Sequence, residues 1–269
     1  FCKECCHIFF TRLPGQEFLI DYYKKEFSTK KKTPTVTKNY NYSAISDIVV
    51  NKINKNSKIL DVGCGYGSAI KHFNSIGYKD IIGLEPSKLR SKIGKESNLN
   101  IINIPIDKLN KNEHGLFDLI YSWHAIEHIY DLYTALSNIR NVLKTDGYIF
   151  IAVPHFNAEH YFEIANFLPH VHNFNTISMK AILHRTGFEV EYIDDSLRVL
   201  AKKVDNPKDF NIKSEDRKKI INDISLKVIR DFDLLRRIPK NHSQLSFHIS
   251  TTRASNQILE PSYGASRVL

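Results

Sequence analysis

The chain has 269 residues, of which 42% are hydrophobic and 25% are charged, and its formal net charge is +9. This length and composition are those of a globular protein with one or two domains, and they exclude a fibrous or fully disordered chain. No apolar run reaches the roughly 18 residues of a membrane-spanning helix, and the N-terminus lacks a signal pattern, so we expect a cytoplasmic protein.

The positive charge leaves two interpretations open. A basic surface can bind nucleic acid or an acidic substrate. The lysines are scattered, however, and only 24–32 and 217–219 are densely basic. Since no nucleic-acid-binding motif accompanies them, a solvated face is favoured over a nucleic-acid patch.

The first ten residues, FCKECCHIFF, place Cys2 and Cys5 in C-x-x-C spacing, followed by His7. This spacing is typical of one half of a zinc site, but a closed structural site takes four ligands. The alternative is a pair of thiols that hold no metal, and a disulfide is not expected in a cytosolic chain. Because the sequence starts at Phe1 and its only methionine is Met179, we expect it to be part of a longer protein.

Three segments lead to the first predicted strand. Residues 16–27 form a predicted amphipathic helix rich in aromatic residues, which either lead toward a site or belong to the core. Residues 30–41 indicate a linker, and 42–54 show helical spacing of apolar residues.

Residues 58–73, KILDVGCGYGSAIKHF, combine a buried strand, a glycine turn and a helix start. Gly63, Gly65 and Gly67 allow positive φ angles and let a ligand lie against bare backbone. The helix that follows directs its unpaired N–H groups back at the turn, which suits a carboxylate or phosphate. The alternative is a tight strand-to-helix turn without a ligand.

Asp61 helps to separate the two classes of ligand that fit this turn, whereas Glu85 suits either of them. Asp61 would repel a pyrophosphate, and the spacing is G-x-G-x-G, whereas dinucleotide sites use G-x-G-x-x-G. Adenosylmethionine carries an ammonium, a carboxylate and a sulfonium, and an acid beside helix-end N–H groups matches that mixed charge. Glu85 ends the second predicted strand, 81–84, where its carboxylate can accept both ribose hydroxyls.

The chain then alternates strands and helices. A third strand is predicted at 101–106, followed by Asp107, then a fourth strand at 117–122 and a helix at 130–142. A turn is predicted at 144–147 and a fifth strand at 148–153. This alternation predicts an α/β fold with a doubly wound parallel sheet and a ligand at the carboxyl ends of its strands.

His124, Glu127 and His128 follow the fourth strand, and they would face one point if a helix starts there. They could act as a general base or hold a divalent metal. The alternative is that Glu127 and His128 only brace the helix. Four further histidines are competing candidate bases: His155, His160, His170 and His172.

Three segments, DVGCGYG, FDLIYSWHAIEH and LKTDGYIFIAVPH, resemble motifs of the class I S-adenosylmethionine-dependent methyltransferases, and the resemblance covers about residues 58–203. It implies a Rossmann-like, seven-stranded sheet with an antiparallel closing hairpin, here at 188–193 and 197–203. In this family an acid or amide at the place of Asp107 holds the adenine amino group, and an apolar neighbour, here Ile106, packs on the ring. The residues expected to bind S-adenosyl-L-methionine are Asp61, Gly63, Cys64, Gly65, Gly67, Glu85, Ile106, Asp107 and Ser122.

Two finer resemblances concern metals. The first ten residues resemble the second half of a zinc ribbon that precedes some bacterial methyltransferases, with Cys6 where glycine is usual. Cys2 and Cys5 would then bind Zn²⁺ only if an upstream C-x-x-C pair completes the site. Ubiquinone-biosynthesis O-methyltransferases show E-x-x-E-H, associated with a divalent ion, where this chain has His124 in place of the first acid.

The remaining segments complete the predicted organisation. Residues 157–175 are a candidate acceptor lid, and 176–186 are a helix with Thr176 as its cap. Residues 214–237 form an amphipathic helix that packs on the core or on a second subunit, with a membrane-surface position as the alternative. The tail after residue 240 suggests no function.

We therefore predict three parts: a ribbon-like segment with linker at 1–40, a methyltransferase core at 41–203 and a helical extension at 204–269. The predicted activity is methyl transfer to a small molecule, with a sugar or surface-polysaccharide precursor favoured by the ribbon resemblance. The alternatives are a tRNA or rRNA methyltransferase, a nicotinamide-dependent oxidoreductase and a noncatalytic adenosylmethionine-binding domain. The sequence does not indicate an oligomeric state.

Overall fold

The computed structural model describes residues 2, 5–9, 47–156 and 170–222. The chain divides into two units, Phe1–Ile229 and Arg230–Leu269, and all described residues belong to the first. None of the helices within these ranges is long and apolar enough to cross a membrane. The helix predicted at 16–27, most of the predicted lid and the tail after 240 lie outside the described residues.

Seven strands form one mixed sheet in the order β4-β3-β2-β5-β6-β9-β8. The pairs among β2 to β6 are parallel, whereas β9 runs antiparallel to both β6 and β8. A separate two-stranded sheet joins β1 to β7. The strands are β1 (Ile8–Phe9), β2 (Ile59–Val62), β3 (Ile81–Leu84), β4 (Ile101–Ile102), β5 (Phe117–Trp123), β6 (Leu143–Ala152), β7 (His172–Asn173), β8 (Phe188–Ile193) and β9 (Arg198–Lys203).

Helices cover both faces of the large sheet, because its central strands alternate their side chains between two apolar layers. Ile59 of β2 packs in the layer with α1, and the adjacent Leu60 packs in the layer with α4 and α5. The α-helices are α1 (Ser68–Ser75), α2 (Lys88–Glu96), α3 (Lys111–His114), α4 (Leu132–Val142) and α5 (Thr176–Arg185). The predicted α/β, Rossmann-like fold with a closing hairpin is confirmed.

The third strand is shorter than its apolar run predicts. Only Ile101–Ile102 pairs with β3, and Ile106–Lys108 forms a short 3-10 helix. Pro105 stands between them, and proline has no N–H to continue a ladder of hydrogen bonds. Ile106 therefore begins a turn of helix rather than ending a strand.

The turn predicted at 144–147 lies within β6 as a bulge. The partner of Phe117 is Leu143, but the partner of Leu119 is already Tyr148, so the intervening residues have no counterpart on β5. Asp146 adopts a φ of 62° in this bulge. The sequence KTDG is typical of a turn, which is why a turn was predicted here. In the structure β6 continues on both sides of these residues.

Two helix starts differ from the prediction. The N-cap of α5 is Asn175, not Thr176, because the Asn175 side chain accepts from the Ser178 backbone N–H at 2.9 Å. A helix from 130 was expected, but α4 begins at Leu132 with Asp131 as its cap. Of the predicted helix at 214–237, the described part, 214–222, is helical.

Candidate active site

The candidate site lies where the order of the strands reverses, between β2 and β5. β2 and β5 are adjacent parallel strands, and the chain continues outward in opposite directions from them, to β3 and to β6. Such a switch point opens a crevice at the carboxyl ends of the strands. Gly63 follows β2 and His124 follows β5, so the glycine turn and the histidine cluster meet at the same edge.

The three glycines of the turn all have positive φ, at 74°, 57° and 80° for Gly63, Gly65 and Gly67. A Cβ on Gly63 would lie 2.4 Å from the Ala125 Cβ, and one on Gly67 would lie 2.3 Å from a methyl of Leu99. A Cβ on Gly65 would meet nothing within 4 Å. Gly63 and Gly67 are thus required by packing, whereas Gly65 faces open space where a ligand can approach the backbone.

Asp61 and Glu85 form a buried acidic pair beside this turn. Asp61 is 2% exposed, and its Oδ2 accepts no hydrogen bond from the described residues. Burial, followed by the charge of Glu85, raises the pKa of Asp61 to about 8. A cationic ligand beside the pair would favour the ionised form of Asp61.

Glu85 shapes the turn itself. Its Oε2 accepts from the Gly65 N–H at 2.9 Å and its Oε1 accepts from the Ser87 N–H at 2.8 Å, while burial raises its pKa. Each carboxylate oxygen has a second lone pair that can accept from a ribose hydroxyl. This role of Glu85 stays a prediction.

The other predicted cofactor contacts occupy different positions around the crevice. Cys64 packs its buried thiol against Gly83, and burial raises the pKa of that thiol. Ser122 is fully buried and donates to the Val62 carbonyl at 3.4 Å, which ties β5 to β2. Ile106 lies half-buried against the core, and Asp107 is exposed. The roles of these residues toward a cofactor stay predictions.

Asn103 belongs to this region but was missed in the sequence. Its Nδ2 donates to the Glu85 carbonyl at 2.8 Å and to the Pro86 carbonyl at 3.1 Å. It thereby fixes the loop that carries the Glu85 carboxylate. A polar residue directly after the short strand β4 was the available signal.

His124, Glu127 and His128 do come together, although no α-helix starts at residue 124. His124 has a φ of 49°, and Ile126–His128 is a 3-10 helix. The Glu127 Oε1 lies 3.4 Å from the His124 Nδ1 and 3.6 Å from the His128 Nε2. A positive φ is uncommon for residues other than glycine, and such positions cluster at active sites.

Glu127 is a buried carboxylate at the centre of this group of histidines. It is 1% exposed, and within the described ranges neither carboxylate oxygen accepts a hydrogen bond. An ionised carboxylate that is buried without hydrogen bonds is costly unless positive charge is nearby. The imidazoles of three histidines lie near Glu127. An imidazole supplies positive charge when it is protonated, and it can bind a cation when it is neutral.

The third imidazole belongs to His170, which the sequence suggested only as a competing base. Its Nε2 lies 3.9 Å from the Glu127 Oε1, and its ring centre is 4.9 Å from that of His128. Burial lowers the pKa of His170 to about 4, so its imidazole is neutral near pH 7. The competing candidate His155 instead bonds to the Asp195 carbonyl, and His160 lies outside the described residues.

The N-terminal cysteine segment packs beside the start of α5. The Cys5 N–H points to the Cys2 sulfur at 3.5 Å, and Cys6 adopts the left-handed φ of 56° that glycine would favour. The Cys6 carbonyl accepts from Asn175, which anchors the segment to the start of α5. The described residues supply two thiolate donors here, so a zinc site at Cys2 and Cys5 stays a prediction that needs two further ligands.

Comparisons with known proteins agree with this geometry. A family model described as a methyltransferase domain matches residues 38–193, more than half of the chain. Ubiquinone biosynthesis O-methyltransferases from Acinetobacter baylyi and Rhodopseudomonas palustris are 23% and 28% identical over 111 and 125 residues. These matches cover 39% and 41% of this chain, and the chain spans about half the length of these relatives, 46% and 48%.

Two solved structures share the fold. Magnesium protoporphyrin IX methyltransferase from Synechocystis, with bound SAM, has a TM-score of 0.53 and 13% identity, covering 72% of this chain and 99% of that one. A 1,6-didemethyltoxoflavin-N1-methyltransferase from Burkholderia thailandensis has a TM-score of 0.53 and 14% identity, covering 74% and 94%. Together with the family match, they establish that the chain belongs to the methyltransferase domain family and has the class I, S-adenosylmethionine-dependent fold.

Proposed function

We propose that this protein transfers a methyl group from S-adenosylmethionine to a small-molecule acceptor. The observation that carries the proposal is the open backbone at Gly65, which lies beside the buried acids Asp61 and Glu85 and shares a sheet edge with the Glu127 cluster. A cationic cofactor offsets the charge of the two acids. An acceptor would then lie between that cofactor and the histidines.

The residues of the turn have separate binding roles in this proposal. The Asp61 carboxylate pairs with the cofactor ammonium, and the N–H groups at the start of α1 bind its carboxylate. Glu85 accepts hydrogen bonds from the ribose, while Ile106 and Asp107 contact the adenine. The sulfonium supplies an activated methyl group, so the protein has mainly to bind, orient and remove a proton.

Transfer to an oxygen acceptor balances as follows. The acceptor oxygen attacks the methyl carbon in line, the carbon–sulfur bond breaks, and its electron pair stays on sulfur in S-adenosylhomocysteine. The proton of the acceptor hydroxyl passes to the imidazole of His124 or His128, and Glu127 stabilises the imidazolium that forms. Alignment of donor and acceptor can supply about 7 to 11 kcal/mol of the barrier.

The acceptor class follows from two separate arguments. The ribbon-like segment at Cys2 and Cys5 favours a sugar or surface-polysaccharide precursor. The similarity to ubiquinone biosynthesis O-methyltransferases over residues of the core favours a hydroxyl on a quinone precursor as the second candidate. Both acceptors have a hydroxyl that a buried Glu-His cluster can deprotonate.

The test is transfer of a labelled methyl group by the full chain to a panel of sugar nucleotides, hydroxylated quinone precursors and tRNA. We expect label in at least one small molecule and none in tRNA. Label in tRNA alone would replace the proposal with an RNA methyltransferase. Label in no acceptor, with intact binding of S-adenosylhomocysteine, would leave a noncatalytic cofactor-binding domain.

A further inference from the structure

Beyond the cofactor crevice, the described residues contain one group of side chains with metal-ligating atoms close together: Glu127, His128 and His170. Their donor atoms all lie within 4.8 Å of one another. Two come from the 3-10 helix after β5, and the third comes from the start of the described segment at residue 170, so the group joins two distant parts of the chain.

The distances suit a shared ion. Zinc binds histidine and carboxylate at about 2.1 Å, so two ligands of one ion are at most about 4.2 Å apart. The Glu127 Oε1 is 3.6 Å from the His128 Nε2 and 3.9 Å from the His170 Nε2, both within that limit. The third pair, His128 with His170, lies within 4.8 Å and so exceeds this limit by at most about 0.6 Å.

The burial of Glu127 is an independent observation. Its two oxygens accept no hydrogen bond from the described residues, although it is 1% exposed. A buried carboxylate without hydrogen bonds is costly, and coordination of an ion is one way in which proteins satisfy such a group. The imidazoles of His128 and His170 are 22% and 13% exposed, so the site is reachable from solvent on the histidine side.

Contacts of His172 hold the segment that carries His170 beside the 3-10 helix. His172, two residues later, has its Nε2 3.0 Å from the Ile129 carbonyl and its Nδ1 3.0 Å from the His7 Nε2. Ile129 directly follows the 3-10 helix that carries Glu127 and His128. The strand pairing of β7 with β1 adds a second attachment, so the ligands are brought together before any ion binds.

We propose that Glu127, His128 and His170 form a site for one divalent transition-metal ion, with His170 as a ligand supplied from outside the H-x-x-E-H segment. Two imidazoles and one carboxylate favour zinc, iron, cobalt or nickel over magnesium, which prefers oxygen ligands. His124, whose side chain is 45% exposed, stays outside the set as the candidate base. Bound there, the ion would lower the pKa of an acceptor hydroxyl, a role that rests on the proposed function, whereas metal binding does not.

The test is titration of the metal-free full chain with Co²⁺ and Zn²⁺, in a variant with Cys2→Ser and Cys5→Ser so that no thiolate of the N-terminal pair contributes. We expect one Co²⁺ per chain, with visible bands and no thiolate-to-metal charge transfer in the near ultraviolet. An equal concentration of Mg²⁺ should not displace it.

Single substitutions in the same background locate the ligands. Because second-shell changes already cost about 10- to 100-fold in metal affinity, His170→Ala and Glu127→Gln should each weaken Co²⁺ binding at least tenfold. His155→Ala is the matched control, a histidine at the same sheet edge that bonds to a backbone carbonyl instead, and should leave the affinity within about twofold. Cooperative melting and binding of S-adenosylhomocysteine verify that each variant is folded.

Absence of Co²⁺ and Zn²⁺ binding in the Cys2→Ser, Cys5→Ser background would overturn the proposal, as would unchanged affinity in the His170→Ala variant. If Glu127→Gln does not fold, the His170→Ala result decides alone. The methyl-transfer panel is a separate measurement, so loss of the metal proposal leaves the proposed function standing, and a protein that binds the metal but methylates nothing contradicts only the latter.

Discussion

An added Cβ at Gly63 or Gly67 would meet a neighbouring side chain, but at Gly65 it would meet nothing within 4 Å. Only the positive φ of Gly65 therefore requires glycine there. Gly65→Ala adds a methyl group to the open space beside Glu85 at a φ of 57°. We expect at least a tenfold loss of affinity for S-adenosylhomocysteine, because the proposed cofactor site includes this stretch of backbone. Isothermal titration of the variant measures the effect.

The matched control is Gly77→Ala. Gly77 also has positive φ, at 103°, and an added Cβ would lie 3.7 Å from the Lys55 side chain, in ordinary contact. Both variants share the backbone strain of about 1 to 2 kcal/mol for alanine at left-handed φ. Equal affinities for the two variants would show that Gly65 does not face the ligand.

Asp61 predicts a pH dependence of stability for the ligand-free protein. The pKa of the folded state is about 8, whereas the pKa of the unfolded state is about 3.9. Between these values the folded protein holds a proton that the unfolded chain releases, so stability falls as pH rises, by at most about 1.4 kcal/mol per pH unit. Glu85, whose pKa is also raised by burial, acts in the same direction.

Asp61→Asn removes this contribution, since an amide does not ionise. Urea unfolding from about pH 5 to pH 8 should therefore show the variant gaining stability relative to the wild type as pH increases. Titrating groups that do not interact with Asp61 cancel in this difference. A constant difference across the range would mean that Asp61 is already ionised in the folded protein.

Among the candidate bases that the structure describes, His124 has the most accessible imidazole, with 45% of its side chain exposed. Once an acceptor is known, His124→Ala should lower kcat by about 10²- to 10⁴-fold, the usual contribution of general base catalysis, and leave S-adenosylhomocysteine binding unchanged. His184→Ala, a histidine on α5 outside the cluster, is the control. Unchanged kcat in a His124→Ala, Glu127→Ala double variant would place the chemistry elsewhere.

At the scale of elements, the start of α5 connects the core to the N-terminal segment. The Asn175 Oδ1 caps the helix through the Ser178 N–H, and its Nδ2 donates to the Cys6 carbonyl at 2.7 Å. Asn175→Ala removes both bonds from a buried position, so we expect a loss of about 2 to 3 kcal/mol in the free energy of unfolding.

The half-buried cap Asn110 of α3 is the comparison. Its side chain accepts from the Glu113 N–H and donates to the Lys108 carbonyl, both within its own loop and in contact with solvent, so Asn110→Ala should cost about 0.5 to 1 kcal/mol. Denaturant unfolding of the two variants gives both values. Similar losses for the two would mean that the Asn175 bond to the N-terminal segment adds nothing to stability.

The strands and helices of the core could be predicted because each carries a local signal. The runs ILDV and FDLIYS are apolar and the hairpin strands alternate, which places them in a sheet without further information. The starts of α4 and α5 were misplaced because several capping residues compete within two positions. The strand at 101–106 was too long because its prediction ignored Pro105.

The site could be predicted only where its residues are adjacent in sequence. Asp61, the three glycines and the H-x-x-E-H segment are local patterns that follow strands, so their shared edge follows from the topology. His170 is 43 residues from Glu127, and Asn103 acts through backbone carbonyls of another strand. Neither contact has a sequence period, because both arise from how the loops return over the sheet.

At the scale of the whole molecule, the parallel part of the sheet brings the two halves of the proposed reaction together. The cofactor side follows β2 and β3, the acceptor side follows β5, and the switch point joins them. The fold alone hosts many reactions, so the assignment depends on the acids and on the open glycine rather than on the sheet. The proposed cofactor is therefore the claim to measure first.

Isothermal titration of the full chain with S-adenosylhomocysteine, compared with NAD under the same conditions, tests this claim most directly. The account predicts one site per chain for S-adenosylhomocysteine, weakened by Gly65→Ala, and no measurable binding of NAD up to about 1 mM. Binding of NAD, or the absence of heat with S-adenosylhomocysteine at the same concentration from a protein that melts cooperatively, would contradict it.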